Sequence, residues 1–468
     1  MPLDIRSEFA AASLGDARLT ARLCAMAESL ACAPEMSFPK AFGSEAAREA
    51  GYRLLNNESV SLEKVLAPHV EQTVQRAQQK GSVAVIHDTT EFRFSGETRR
   101  RGLGRLQHKG QGFFAHTALA ISTDGQRHPL GVLGVETLFR LQPPKGKRTP
   151  SQLRKDPNNE ALRWQRLSVQ TNRLLMGKAE AIHLMDREAD SYDMLLFFTE
   201  HSMRFVVRAA HDRMVESFDG KAHLRESLES APVMLEREVP ISYRSGKKTA
   251  KQRCIHPGRA GRVAKLCFGA QTVEIQRPKH ASHKQRASVA VHVVRVWEID
   301  CPAELHPVEW ILITTEPIAS HADVARIVDL YRSRWMIEEF FKALKTGCAY
   351  EQRQLESSHA LLNALGLFMP IAWRLLLLRT LSRQSDSKAL AIEALPESQV
   401  QALIAMRRGK LSNNPTVREA MLAIAAIGGH IKNNGEPGWL VLWRGYRDLL
   451  LFEAGWVAAT RGQRCDQS

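Results

Sequence analysis

The sequence predicts an α/β protein in which a mixed β-sheet is flanked by helical segments at both ends of the chain. Residues 1–75 have apolar side chains at helical spacing, and three β-rich runs follow between 83 and 139. Helix-forming sequence returns from His321 onward. A chain of 468 residues with 44% hydrophobic content can bury two or three cores, which excludes a peptide, a disordered tail and a fibrous protein.

The first segment, residues 1–75, is predicted to be a small helical domain. A helix should begin after 14–16, and the run 19–30 continues it with apolar side chains at helical spacing. The alanine-rich stretch 44–55 predicts a further helix. The absence of an apolar core in the first ten residues argues against a secretory signal.

Residues 76–365 are predicted to form the mixed sheet. Three β-rich runs suggest an antiparallel meander, and they lie at 83–86, 113–121 and 131–139. Helix and strand then alternate from about 160 to 209, which is typical of a mixed α/β sheet. The β-rich stretch of about 213–310, with its charged hairpins, predicts an inserted sheet.

Residues 366–468 are predicted to form a helical C-terminal domain. The most apolar stretch, 361–378, contains Asn363, Pro370 and Arg374, which favours a buried helix over a membrane span. The seven cysteines form no CxxC pair and have no metal-ligand spacing, which fits a reducing cytosol.

The charge of the chain is high and uneven. The formal net charge is +15 and the pI is about 9.7. Residues 1–75 are net acidic at −3, whereas residues 76–365 hold 45 basic and 32 acidic side chains. A basic middle segment indicates a polyanionic partner, and nucleic acid is the first candidate. The basic loops are predicted to contact a backbone or to be simply solvated, and they lie at 99–105, 145–155 and 244–253.

Two aspartates stand where apolar β-runs end, Asp88 after 83–87 and Asp186 after 181–185. Carboxylates at such positions can hold hard divalent cations. One such aspartate could equally be a helix N-cap or a turn former. Because the two runs are expected on adjacent strands, the pair suggests a magnesium site.

A third acid lies in a mixed-charge stripe on the helix predicted over 321–345. The stripe consists of Tyr331, Arg334, Glu338, Lys342 and Lys345. It could be the solvated face of an amphipathic helix that buries Trp335, Ile337, Phe341 and Leu344. With the two aspartates, Glu338 would instead complete the carboxylate set that two-metal phosphodiester chemistry needs, with basic side chains clamping phosphates.

At this helix the sequence resembles the DDE transposases of cut-and-paste bacterial insertion sequences, specifically the IS-four group. The family signature is Tyr, two residues, Arg, three residues, Glu, six residues and Lys, and it is met by Tyr331, Arg334, Glu338 and Lys345. The segment 186–190, Asp-Arg-Glu-Ala-Asp, resembles the family as well.

The resemblance implies an RNase H-like sheet on which Asp88, Asp186 and Glu338 hold two Mg²⁺ ions, for which Mn²⁺ should substitute. It implies that Arg208 contacts the transposon end and that Trp310 stacks on an extruded base. The remaining implied DNA contacts are terminal phosphates for Tyr331, Arg334 and Lys345, and the neighbouring backbone for Lys342.

The resemblance also implies the partners and the reaction. The partners would be double-stranded DNA, as inverted-repeat ends and target, and a second copy of the chain, with no membrane or small-molecule substrate. The reaction would be nicking, hairpin formation and opening, and 3′-OH strand transfer, in a bacterial cytoplasm near the nucleoid. An RNase H-like structure-specific nuclease and a catalytically silent DNA-bridging protein stay open as alternatives.

Overall fold

The structure is a computed structural model that confirms the predicted mixed α/β architecture. It describes residues 5–96, 98–106, 110–140, 156, 159–241, 243, 260–279, 281, 285–383, 388–431 and 435–465. The basic loops predicted at 145–155 and 244–253 lie outside the described residues, whereas 99–105 lies within them.

The strands of the described residues pair into one twelve-stranded sheet. Their order is β2-β3-β1-β5-β6-β12-β11-β10-β7-β8, with β4 paired to β3 and β9 to β10. The strands are β1 (Ser82–Phe94), β2 (Gly104–Arg105), β3 (Gln111–Ser122), β4 (Pro129–Leu138), β5 (Glu180–Met185), β6 (Arg204–Arg208), β7 (Met214–Ser217), β8 (Gly220–His223), β9 (Val233–Ile241), β10 (Arg262–Gln276), β11 (Ser288–Ile299) and β12 (Glu309–Thr314).

The centre of the sheet is mixed in direction. β1 runs antiparallel to β3, and β3 antiparallel to β4, as the predicted meander requires. β5 pairs parallel with both β1 and β6, because the helix Arg163–Leu175 before β5 and the helix Tyr192–Glu200 before β6 each carry the chain back across the sheet. The strands of the predicted insertion extend this same sheet through the antiparallel pair β11 and β12.

Helices cover the sheet and form both ends of the chain. Their N-termini are set by side-chain caps such as Asp16, Ser44, Ser61 and Ser320, which accept backbone N–H groups of the first turn. The helices are α1 (Ala17–Cys32), α2 (Phe38–Ala41), α3 (Glu45–Leu55), α4 (Leu62–Lys80), α5 (Arg163–Leu175), α6 (Tyr192–Glu200), α7 (Leu224–Ser227), α8 (His321–Ser333), α9 (Met336–Lys342), α10 (Ser358–Ser382), α11 (Glu397–Met406), α12 (Val417–Ile427) and α13 (Trp439–Cys465).

Two of these helices run through the positions at which the sequence divided the chain. α4 continues past residue 75 and α10 past residue 365. α10 is long and apolar enough to cross a membrane, but it lies almost entirely within the protein core. It is therefore the buried helix that the interrupted apolar stretch predicted, and the division into three domains stays a prediction.

Candidate active site

Asp88 lies inside a strand and not at its end. β1 was predicted to stop near residue 87, but it continues to Phe94 because the following residues, rich in threonine and phenylalanine, keep pairing with β3. The parallel pairing of β1 with β5 does stop at Ile86. Asp88 therefore stands just beyond the point where the two parallel strands separate, and its carboxylate accepts the Thr89 N–H at 2.7 Å.

Asp186 follows β5 directly, as predicted. Its carboxylate accepts the N–H of Glu188 at 2.9 Å and so caps the short 3₁₀ turn Arg187–Ala189. The turn-forming role that the sequence left open is thus present. The pairing of β5 with β1 also confirms that the two aspartates belong to adjacent strands.

Glu338 is carried by α9, after a break in what was predicted as one helix over 321–345. α8 ends at Ser333, and the chain turns at Arg334 and Trp335 before α9 begins. The buried Ser333 hydroxyl donates to the Leu330 carbonyl, which competes with the regular helical hydrogen bonds. The prediction of one continuous helix was wrong, and the turn at Arg334 and Trp335 is closed by backbone hydrogen bonds between residues three positions apart.

The break changes the predicted faces of this segment. Trp335 was assigned to the buried side, but it is 56% exposed. Tyr331 was assigned to the polar stripe, but it is buried. Ile337 and Leu344 are buried as predicted. The stripe is therefore not a simple solvated helix face.

Arg334 connects two of the three acids. Its guanidinium donates to Asp88 Oδ2 at 2.9 Å and to Glu338 Oε1 at 3.1 Å. Because a single guanidinium reaches both carboxylates, the side chains of β1 and α9 face the same small space. The side chain of Arg334 is only 15% exposed, so these charges are largely shielded from water.

The carboxylates also influence one another electrostatically. Burial raises the pKa of Asp88 to about 6, and the charges of Asp186 and Glu338 add to this, against the opposing effects of Arg334 and the Thr89 N–H. Burial and the charge of Asp186 raise the pKa of Glu338, again against Arg334. The three carboxylates are therefore close enough for their charges to affect one another.

The described residues contain no ready-made cluster of three His, Cys, Asp or Glu side chains that could hold a metal ion. The chemistry of the donor set nevertheless fits a divalent cation. Three carboxylates supply hard oxygen ligands, and their mutual repulsion is relieved when positive charge lies between them, as the Arg334 bridge illustrates.

The predicted DNA-contact residues fall into two groups. Arg208 on β6 lies 5.8 Å from the ring centre of Trp310 on β12, and that ring meets Tyr331 edge-on at 5.8 Å. This group continues through Arg334 to the acids. The other group lies at the end of α9 and just after it. Lys342, the last residue of α9, pairs with Glu339, and Lys345 donates to the Glu91 carbonyl of β1.

Neighbouring acids and histidines have structural partners. Glu339 is buried and pairs with Lys342 and Arg379, so it points away from Asp88, as expected from its place on the helix. His87 and His183 are buried and hydrogen-bonded to each other at 2.9 Å. Burial lowers the pKa of both imidazoles, which are therefore neutral core residues.

One residue of this site was missed in the sequence. Arg163, the first residue of α5, hydrogen-bonds to Thr89 and to Glu188, the two residues whose N–H groups are accepted by the aspartates. Only the helix start nearby was visible in the sequence, and no spacing rule connects an arginine with two segments so far away along the chain.

Two family models match the chain. Residues 5–60 match the family described as Transposase DNA-binding, and residues 173–369 match the Transposase DDE domain. The second match contains Asp186 and Glu338. Asp88 lies before it, so its place in the site depends on the pairing of β1 with β5.

The chain also resembles a solved structure described as a cryo-EM structure of the piggyBac transposase synaptic complex with hairpin DNA. The two share 9% sequence identity with a TM-score of 0.35. The match covers 77% of this chain and 66% of that chain, so this chain spans just under two thirds of its length. A resemblance this distant supports no detail of the site.

Proposed function

We propose that this chain is a DDE-type DNA transposase and that Asp88, Asp186 and Glu338 are its catalytic residues. The observation that carries the proposal is the interaction among three carboxylates, which belong to β1, to α9 and to the turn directly after β5. Arg334 bridges two of them, and the third affects the pKa of both. They come from separate elements, so their approach requires the fold.

The three carboxylates would hold two Mg²⁺ ions, for which Mn²⁺ would substitute. Bound divalent ions would stabilise the negative charge that develops at a phosphodiester and activate the attacking oxygen. The chain itself contributes the ligand oxygens, held by the N–H groups of Thr89 and Glu188, and a buried guanidinium that can pair with a phosphate.

The DNA end would lie along the two groups of contact residues. Trp310 would stack on an extruded base, with Arg208 beside it. Tyr331, Arg334 and Lys345 would hold the terminal phosphates, and Lys342 the neighbouring backbone. The packing of Trp310 against Arg208 and against Tyr331 supports this assignment, because the charges of Arg334 and Asp186 also act on Tyr331.

The proposed reaction is cut-and-paste transposition of a bacterial insertion sequence. One strand is nicked at the element's end, the freed 3′-hydroxyl attacks the opposite strand to form a hairpin, water opens the hairpin, and the 3′ ends are joined to target DNA. Each step is an in-line displacement at phosphorus, so one carboxylate site can serve all of them.

The proposed partners are double-stranded DNA, as inverted-repeat ends and target, and a second copy of the chain. Two ends must be processed together, which favours a symmetric dimer. The C-terminal helix α13 exposes Leu451, Phe452 and Trp456 at 63%, 38% and 44%, and this apolar surface is suited to such a contact. The protein would act in the bacterial cytoplasm, at the nucleoid.

The test replaces each acid by its amide. Glu338→Gln, Asp186→Asn and Asp88→Asn should reduce cleavage of a DNA end at least about a thousandfold while end binding persists, because metal chemistry is lost and the binding surface stays. Asp193→Asn removes an exposed carboxylate seven residues after Asp186 and should cut normally. Full cutting by Glu338→Gln would refute the proposed role.

The same assay separates the alternatives. Strand transfer is measured with a pre-cleaved 3′-OH end and a plasmid target. A wild-type chain that cuts but never joins would be a structure-specific nuclease, and one that binds without cutting would be a bridging protein. Joined products that disappear in Asp88→Asn are the outcome expected from the proposal.

A further inference from the structure

Arg163 lies at the start of α5 with all three of its guanidinium nitrogens engaged. Nε donates to the Thr89 hydroxyl at 3.0 Å, one terminal nitrogen to the Glu160 carbonyl at 2.7 Å, and the other to Glu188 Oε2 at 2.5 Å. The side chain is only 12% exposed. It is therefore a committed part of the fold and not a surface cation.

The two side chains that Arg163 contacts are also the ones next to the aspartates. The backbone N–H of Thr89 donates to Asp88 Oδ1 at 2.7 Å, and the backbone N–H of Glu188 donates to Asp186 Oδ1 at 2.9 Å. Arg163 is therefore connected to each aspartate by two successive hydrogen bonds. In each case the guanidinium bonds to a side chain, and the backbone N–H of that same residue donates to the aspartate.

Thr89 is fixed from a second direction as well. Its hydroxyl also hydrogen-bonds to Nδ1 of the buried His116 at 2.9 Å. A hydroxyl has one proton, so accepting from Arg163 leaves that proton for His116. His116 in turn packs edge-on against Trp164, the residue after Arg163. Thr89 is therefore connected to the start of α5 through His116 as well.

From these contacts we infer that Arg163 is a positioning residue that fixes the separation and orientation of the Asp88 and Asp186 carboxylates through Thr89 and Glu188. The inference depends on the proposed function, since it matters only if these acids are ligands. Partners that orient metal ligands commonly change metal affinity by about 10–100-fold when they are removed.

The charge of Arg163 and its positioning role predict opposite effects on metal binding when the residue is replaced. The inference can therefore be tested without measuring catalysis. Removing a cation near carboxylates should by itself strengthen binding of a divalent ion. Losing the two-ended link should weaken it, because the ligands are no longer preorganised. Lysine at 163 keeps the charge but lacks the planar, separated donor nitrogens with which the guanidinium reaches both segments.

The experiment measures Mn²⁺ binding to the full chain without DNA, by calorimetry and electron paramagnetic resonance. Arg163→Gln and Arg163→Lys should both weaken binding about tenfold or more. Arg166→Gln, which cuts an ion pair to Glu136 from the same helix, should bind like the wild type. Glu188→Gln should cost less in the Arg163→Gln background than in the wild type.

The outcomes separate this inference from the proposed function. If Asp88→Asn leaves Mn²⁺ binding intact, the metal site itself is wrong. If Asp88→Asn abolishes binding but Arg163→Gln binds as well as or better than the wild type, only the positioning role is overturned. Wild-type affinity in Arg163→Lys would also overturn it, and so would a loss of DNA affinity with unchanged Mn²⁺ affinity.

Should Arg163→Gln fail to fold, Glu188→Gln and Thr89→Val cut the two ends of the link separately. Glu188 is 62% exposed at its side chain, so its amide is tolerated easily. Each should weaken Mn²⁺ binding, with the thermal unfolding midpoint unchanged in Glu188→Gln and lowered in Thr89→Val, because the latter also leaves a nitrogen of the buried His116 without its partner. Unchanged affinity in both would count against the link.

Discussion

At the scale of single residues, the contacts of Trp310 fit an aromatic ring on which a further flat group can stack. It is partly buried, with Tyr331 edge-on to its ring and the Arg208 guanidinium on one side. Edge-on and cation contacts leave part of an indole face available for a further flat group. An unstacked base is such a group. Stacking on Trp310 would favour the movement of that base out of the duplex.

Trp310→Ala should therefore slow hairpin formation more than the first nick. Base stacking on an aromatic side chain contributes about 1–3 kcal/mol, which corresponds to a slowing of about 5-fold to 150-fold. Both rates are measured on one end-labelled DNA, from the nicked and hairpin products. Trp310→Phe keeps an aromatic ring and should be affected less, and equal slowing of both steps by Trp310→Ala would contradict the stacking role.

At the scale of elements, the sequence predicted which strands exist better than where they end. β5 and β6 stand where the apolar runs placed them, because both are short and largely buried and each follows a helix. β1 is longer than predicted, since its second half is held by pairing with β3 and not by its own apolar pattern. Register with a distant strand is invisible to local periodicity.

For the candidate site as well, the sequence predicted local spacing but not the contacts between distant residues. The spacing that joined Tyr331, Arg334, Glu338 and Lys345 predicted one continuous helix, which was wrong, and its reading as a family motif stays a prediction. The contact between Arg334 and Asp88 connects residues 246 positions apart, and Arg163 reaches Thr89 across 74. Such pairs follow from strand order, which the sequence alone did not give.

The junction between the N-terminal segment and α4 is built around a buried ion pair. Glu8 accepts from Arg76 and from His69, both on α4, and Arg76 also donates to the Leu130 carbonyl of β4. Burial opposes ionisation of Glu8, but the charges and hydrogen bonds of His69 and Arg76 hold its pKa at about 2. The carboxylate thus ties residues 5–60 to the sheet.

Glu8→Gln should destabilise this junction by about 3–5 kcal/mol, because it leaves a buried cation without its partner. The lowered pKa gives stability that is complete above about 4.5 and is lost as pH falls towards 2. Hydrogen exchange of α1 measured at pH 5 and pH 3 should show this loss in the wild type.

The Glu8→Gln variant should show exchange that is faster and less dependent on pH in this range. Glu28→Gln is the matched control, since Glu28 pairs with Arg6 on the surface of the same segment, where an ion pair contributes about 0–1 kcal/mol. Identical exchange of α1 in Glu8→Gln and the wild type at pH 5 would show that the junction does not depend on this carboxylate.

At the scale of the whole molecule, both ends of the chain share a core with the sheet. One continuous set of buried apolar side chains includes Ile5 at the N-terminal end, Ile86 on β1 and Leu449 on α13. Composition predicted three segments with different charges, but it could not show that their apolar faces meet. The net-acidic first segment is consequently held against a strongly basic one.

That charge distribution sets the dependence of DNA binding on salt. Each phosphate neutralised by a basic side chain releases counterions, so the slope of log K against log salt changes by about 0.9 per contact on duplex DNA. Lys342 on α9 is 57% exposed at its side chain and is proposed to contact the backbone next to the cleavage site. Lys342→Ala should therefore weaken end binding and make the slope shallower by about 1. Lys178, exposed just before β5 at the opposite end of that strand from Asp186, is the matched control, and Lys178→Ala should leave the slope unchanged. Titrations of labelled ends between about 50 and 200 mM salt span the range in which such slopes are resolved. An equal slope for Lys342→Ala and the wild type would place the DNA backbone away from α9.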